Sequence, residues 1–304
     1  MNIDVHQHIW TEPLLGALTA RRALPFVRRI DGLTVLHSLD EQPYVIDVAA
    51  EAPARRAALV HDDGLDLALI ALSSPIGIEA LPRESATALI AAHLDGVRAL
   101  GPEFAPWGPV ALDDPDPYEV DQLLAQGCIG ISLPAGALTS RAALDALAPV
   151  LERVAARQVP LFVHPGRALG QPGCPPTLDE PLWWRALTDY VAQMQAAWLT
   201  LTALGRRDHP ELQIVFAMLA GCAPLLGERL AARGGPAVDL RDPLIFYDTS
   251  SYGRVAIETV ARVVGSQQLV YGSDRPVVEP TLTGREAILK TNATRILEPV
   301  EVAA

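Results

Sequence analysis

Short runs rich in Val, Ile and Leu recur along the chain and alternate with longer Ala-, Leu- and Arg-rich stretches of helical period. Short β-branched runs predict buried strands, and apolar positions at i, i+3, i+4 and i+7 predict helices with one buried face. Strands are expected at 2–9, 67–72, 107–112, 128–133, 161–164, 212–218, 244–249 and 268–273. Helical patterns lie between them: a stretch from about Pro53, then 84–100, 118–126, 140–157, 182–204, 224–233 and 255–264, with a last one at 284–297. Eight β/α units in order predict an α/β chain folded as a single (β/α)8 TIM barrel over residues 1–304, because right-handed helical crossovers between parallel strands close most simply that way. A doubly wound open sheet is the alternative, but no Gly-x-Gly-x-x-Gly follows the first strand.

Two segments break the rhythm. Residues 33–48 carry two short strand patterns, at 34–37 and 44–46, which predict a small β insertion after the first strand, over one mouth of the barrel. Residues 165–181 form a long Gly- and Pro-rich loop leading to Trp183-Trp184. Long loops inside compact domains are commonly functional.

Composition narrows the chemistry. The chain has 304 residues, half of them hydrophobic, and a formal net charge of −12. That charge argues against nucleic acid as a partner, since phosphate contacts need clustered cations. Cys128, Cys174 and Cys222 are odd in number and far apart, so no disulfide framework follows. No signal-peptide pattern or membrane-spanning apolar run is present, and a cytoplasmic, membrane-free protein is expected. Lys290 is the one lysine, so no strand end carries an amine for a Schiff base or a carbamylated metal bridge.

In a β/α barrel the functional side chains sit at the C-terminal ends of the strands. The first strand ends in Asp4-Val5-His6-Gln7-His8, with the two histidines on one face. The fifth ends Phe162-Val163-His164-Pro165-Gly166, and the eighth is followed by Tyr271-Gly272-Ser273-Asp274-Arg275-Pro276. Three histidines and one carboxylate thus converge on one mouth. This donor set suits Zn²⁺, with Mn²⁺ or Fe²⁺ as alternatives. Arg167, Arg254 and Arg275 lie after the fifth, seventh and eighth strands. They are candidates for binding a substrate carboxylate, or for salt bridges with loop acids such as Asp248 and Glu279. Trp183 and Trp184 are candidate walls for a planar substrate.

These motifs together, with Asn292-Ala293-Thr294-Arg295-Ile296-Leu297 near the end, resemble the amidohydrolase superfamily. The resemblance is strongest to the branch holding aminocarboxymuconate-semialdehyde-type decarboxylases and the sugar-lactone and pyrone-dicarboxylate lactonases. It implies one divalent metal ion held by His6, His8, His164 and Asp274, a proton-moving role for Asp274, and a homodimer. One position departs from the pattern. Met218 stands where the family usually carries a histidine after the sixth strand, and a thioether cannot shuttle protons. Met218 is then expected to pack against substrate. Among candidates to replace that histidine, His209 lies at the wrong end, His61 and His93 fall in helices, and His37 lies in the insertion. Cys222 and Tyr252 follow the sixth and seventh strands, and Tyr252 is the better donor.

The leading expectation is a hydrolase of a lactone, ester or amide of a small carboxylate-bearing substrate, acting through a metal-activated water with Asp274 as the proton carrier. The alternative is non-oxidative decarboxylation of an unsaturated or aromatic acid. A third reading, motivated by Met218, is a barrel that keeps its metal but does not turn over a substrate.

Overall fold

The computed structural model describes residues 1–177, 179–280, 284 and 286–298. β1 is Ile3–Gln7, followed by α1 at Glu12–Ala20. Three antiparallel strands come next, β2 at Phe26–Ile30, β3 at Leu33–His37 and β4 at Tyr44–Ile46, paired in that order. The insertion is therefore one strand larger than the sequence pattern shows and begins before residue 33.

Then come α2 (Pro53–Asp62), β5 (Leu67–Ile70) and α3 (Arg83–Arg98). The third barrel strand is split into β6 (Phe104–Pro106) and β7 (Gly108–Pro109) around the fully buried Trp107. It starts three residues before the position expected from the apolar run at 107–112. After α4 (Tyr118–Ala125) come β8 (Ile131–Pro134), α5 (Arg141–Ala156) and β9 (Leu161–His164). The expected helix at 182–204 is broken into α6 (Trp184–Leu187) and α7 (Asp189–Leu199), continued by a π-helical segment at Thr200–Gly205. The order closes with β10 (Ile214–Phe216), α8 (Gly227–Ala232), β11 (Ile245–Asp248), α9 (Arg254–Val264), β12 (Leu269–Val270) and α10 (Glu286–Asn292). The expected start of that last helix at 284–285 includes Arg285, which lies outside the described residues, as do 299–304.

β1, β5 and β6 pair in parallel, and β7 through β12 form a parallel run in chain order. Backbone bonds join the two sheets at both seams. Trp107 N donates to Ile70 O (2.9 Å), and Val5 N donates to Tyr271 O (2.9 Å). Asp274 N donates to His6 O (2.8 Å) and His8 N to Arg275 O (2.6 Å), so the first and last strands meet and the ring is a TIM barrel. Only glycine suits position 272, since a Cβ there would lie 2.8 Å from Asp248 Cγ on the neighbouring strand.

Phe162, stacked on Trp107 at 5.0 Å, fills the interior below the mouth. Outside, Trp198 of α7 donates its Nε1 to the Tyr247 hydroxyl at 3.0 Å, tying helix to strand. Among the described residues no helix is long and apolar enough to cross a membrane.

Candidate metal centre

β1 turns His6 and His8 inward, β9 ends on His164, and the backbone after β12 turns through a positive φ of 60° at Asp274. One ligand atom from each of these four residues lies within 4.8 Å of the others. His6 Nε2 is 3.1 Å from His8 Nε2, and Asp274 Oδ1 is 3.5 and 3.2 Å from those two nitrogens. A tetrahedron with metal–ligand distances near 2.1 Å has edges of about 3.4 Å, so the spacing fits one ion. All four side chains are buried.

The other ring nitrogens are already committed. His6 Nδ1 lies 2.8 Å from Asp248 Oδ2, His8 Nδ1 is 2.8 Å from Ala71 O, and His164 Nδ1 is 2.8 Å from Pro165 O. With a proton on each Nδ1, every Nε2 lone pair is free toward the centre, the arrangement a metal site requires of its histidines. Asp274 Oδ2 accepts from Ser251 Oγ at 3.2 Å, which leaves Oδ1 facing the imidazoles.

Burial opposes charge on His6, but the carboxylates of Asp248 and Asp274 outweigh it and raise its pKa to about 9. Burial, reinforced by the neighbouring His6 and His8, holds His164 well below the usual histidine range. Burial would raise the Asp274 carboxyl, yet the imidazoles of His6 and His8 bring it down to about 2. A carboxylate, a neutral histidine and a histidine that exchanges its proton for a cation together make a cation-binding set.

Behind β1 a buried polar chain fixes the ligand strand. Arg56 pairs with Glu51 at 3.1 Å and donates to Gln7 Oε1 at 2.8 Å. Gln7 in turn donates to Asp4 Oδ2 at 2.8 Å, and Asp4 Oδ1 accepts from His6 N (3.1 Å) and Ser273 N (3.0 Å). Asp4 thereby ties the β1 ligands to the segment carrying Asp274.

Met218 is buried at the mouth and begins an unusual turn. Residues 218–222 all have φ between 50 and 60°, and only Gly221 among them is glycine. Left-handed backbone costs about 1–2 kcal/mol for each residue with a Cβ. The turn is held by Asp248 Oδ1 and Ser250 Oγ, which accept from Met218 N at 3.0 and 3.3 Å, and by Gln195, which donates to Gly221 O at 2.9 Å. Asp248 thus orients a histidine with one oxygen and holds the strained turn with the other. Sequence reasoning weighed Asp248 only as a salt-bridge partner for arginines. Its place at the end of a barrel strand was the available signal.

The structure does not bring the three arginines together. Arg167 pairs with Asp40 at 3.1 Å. Arg275 is drawn away toward Asp63 (3.4 Å) and Glu279 (3.6 Å), and Arg254 is exposed at the start of α9. Trp183 and Trp184 are 56% and 46% exposed. Tyr252 is hydrogen-bonded to Cys222, not to the four-residue cluster; burial and that thiol push its pKa up. His37 packs against Phe26 in the insertion, His61 is exposed beside Glu103, and His209 lies before β10. None of them faces the four ligands.

No protein-family model matches the sequence, and no curated protein matches it. Solved structures do. IDCase of Metarhizium anisopliae in its apo form has a TM-score of 0.78 at 17% identity, covering 98% of this chain and 97% of its own. The 5-carboxyvanillate decarboxylase of Sphingomonas paucimobilis has a TM-score of 0.66 at 18% identity, over 98% of this chain and 99% of its own. The chain shares their fold. A 5-carboxyvanillate decarboxylase of Novosphingobium aromaticivorans, with bound manganese and 3-methoxy-4-hydroxy-5-nitrobenzoic acid, has a TM-score of 0.60 at 20% identity, over 79% of this chain and 74% of its own.

Proposed function

We propose that this protein is a metal-dependent lyase that removes the carboxyl group of an aromatic or unsaturated acid. The observation that carries this reading is the burial of the donor set. His6, His8, His164 and Asp274 are 0, 2, 5 and 9% exposed, above a floor made by Phe162 and Trp107 and beside Met218. A buried, water-poor centre disfavours a charged carboxylate and favours its loss as neutral CO₂. Hydrolysis instead needs a ready supply of water at the same point. The decarboxylases among the fold neighbours support the same choice, which replaces the hydrolase expected first from the sequence.

His6, His8, His164 and Asp274 would hold one divalent ion; Zn²⁺ suits the donors and Mn²⁺ is the ion of one fold neighbour. Such an ion supplies Lewis-acid attraction for the substrate's oxygens. Asp248 keeps the His6 lone pair aimed at the centre. Ser251 engages one Asp274 oxygen. Arg167, which lines two cavities, one of them with Gly166 just beyond His164, is the candidate among the three arginines to meet a carboxylate.

The test is product analysis with protein loaded with Zn²⁺ or Mn²⁺. Given 5-carboxyvanillate, 2,6-dihydroxybenzoate and a set of aromatic lactones, the protein should release CO₂ in step with loss of an acid. Ring-opened acid from a lactone, without CO₂, would return the reading to hydrolysis. Tight metal binding with no turnover across the panel would point to a non-catalytic barrel.

A further inference from the structure

The linker between β3 and β4 reaches over the mouth and places Glu41 beside Tyr190 of α7. The two side chains interact and line a cavity of about 40 Å³ with Arg167, Arg185 and Gln193. Gly166, just after the strand that ends in His164, also lines it. Gln193, one helical turn after Tyr190, accepts from Gly166 N at 2.9 Å, and Gly166 lies two residues beyond His164. The Tyr190 hydroxyl also lies within the field of the Asp274 carboxylate. The linker is pinned in place, since Asp40 pairs with Arg167 and accepts from Cys174 N at 2.8 Å.

We propose that Tyr190 donates a hydrogen bond to the bound acid, and that protonation of Glu41 is what frees its hydroxyl to do so. This rests on the reading of the site as one for aromatic acids. An ionised Glu41 accepts the phenol O–H and turns it away from the mouth. A protonated Glu41 donates to the phenol oxygen instead, and the phenol proton is released toward the substrate.

The surroundings put that exchange near neutral pH. Burial raises the Glu41 carboxyl to about 7, against the hydrogen bond from Tyr190 and the charge of Arg185, with Asp40 and Asp189 adding to the rise. Arg185 is held by Glu180 at 2.6 Å and lies 3.7 Å from Asp189, so its charge is shared. Burial, with Glu41 adjacent, pushes the Tyr190 phenol up, so it stays a donor throughout.

The experiment is calorimetric binding of 3,4-dimethoxybenzoate, whose charge is constant between pH 6 and 8.5, to the Mn²⁺-loaded protein. Wild type should bind at least about tenfold more tightly at pH 6 than at pH 8.5, following the fraction of protonated Glu41. Glu41→Gln, which cannot ionise and can donate from its amide, should bind tightly at both. Tyr190→Phe should bind weakly at both. If the probe binds but Tyr190→Phe keeps the wild-type pH dependence, or Glu41→Gln keeps it, the assignment is overturned while the aromatic-acid site stands. If the probe does not bind the loaded wild type at either pH, both fall.

Discussion

Replacing Asp248 with asparagine would separate the orienting of His6 from the mere filling of space. Asp248 Oδ1 accepts from Met218 N (3.0 Å), Ser250 N (2.9 Å) and Ser250 Oγ (2.5 Å), and an asparagine oxygen keeps all three. The other position becomes an NH₂ group 2.8 Å from His6 Nδ1. Two donors cannot share that contact, so His6 moves its proton to Nε2, the nitrogen that faces the other ligands. Metal binding must then reverse the tautomer and forfeit a charge-assisted hydrogen bond worth about 1.5–3 kcal/mol, which is about 10- to 150-fold in affinity. Proton competition acts in the opposite sense. The wild-type His6 protonates at about 9 because Asp248 and Asp274 hold its charge against burial, and losing the Asp248 charge lowers that value. Below pH 9 the wild type must expel this proton to bind metal, while the variant expels less. The deficit of Asp248→Asn should therefore be full at pH 9 and shrink toward pH 6. Chelator-buffered Zn²⁺ titrations across this range measure it. Thermal melts of the metal-free variant should stay within about 2–4 °C of wild type, since the apo tautomer satisfies both groups. Equal affinities at pH 9, a deficit independent of pH, or an unfolded apo variant would each refute the argument.

Metal binding at pH 7 should release about one proton, from His6, and calorimetry in two buffers of different ionisation heat would show it; no release would contradict its raised pKa. Glu79 is buried, which pushes its carboxyl up to about 7 although Ser74 donates to it. The folded state then holds this proton to higher pH than the unfolded chain, so wild-type stability falls as pH rises from about 4.5 through about 7. Glu79→Gln should match wild type near pH 4.5 and exceed it by up to about 3 kcal/mol at pH 8 in urea titrations, and an equal gain at both would reject the cause. Arg56→Met strands the buried Glu51 carboxylate and should cost about 3–5 kcal/mol in urea unfolding. A cost below about 1 kcal/mol would show that water reaches the pair.

The ligand set was legible in the sequence because each ligand sits at the end of a short, strongly apolar strand. Leu161–His164 is found where the pattern puts it. Periodicity failed where backbone geometry overrides composition. The third strand bends at Trp107, and the apolar run becomes loop after Pro109. α1 went unread because Glu12-Pro13-Leu14-Leu15-Gly16 mixes a helix start with a glycine. β2 was missed because Arg28 and Arg29 hide a strand with only one buried position. Asp248, Glu41 and Tyr190 carry no local motif. Their neighbours come from strands and loops far away in the chain, so only closure of the barrel reveals them.

That closure has a consequence in time. The seam between first and last strands is made by His6, His8, Asp274 and Arg275, the segments that also supply three of the four ligands. The whole barrel must be synthesised and rolled up before those donors meet, which is among the longest loop closures in the chain. A chain emerging from the ribosome can offer an ion His6 and His8, then His164, but not the completed set. Capture of an ion by all four would therefore be a terminal step of folding. It would then act as a clasp between the first and last strands, slowing the reopening that would expose β1 to proteases.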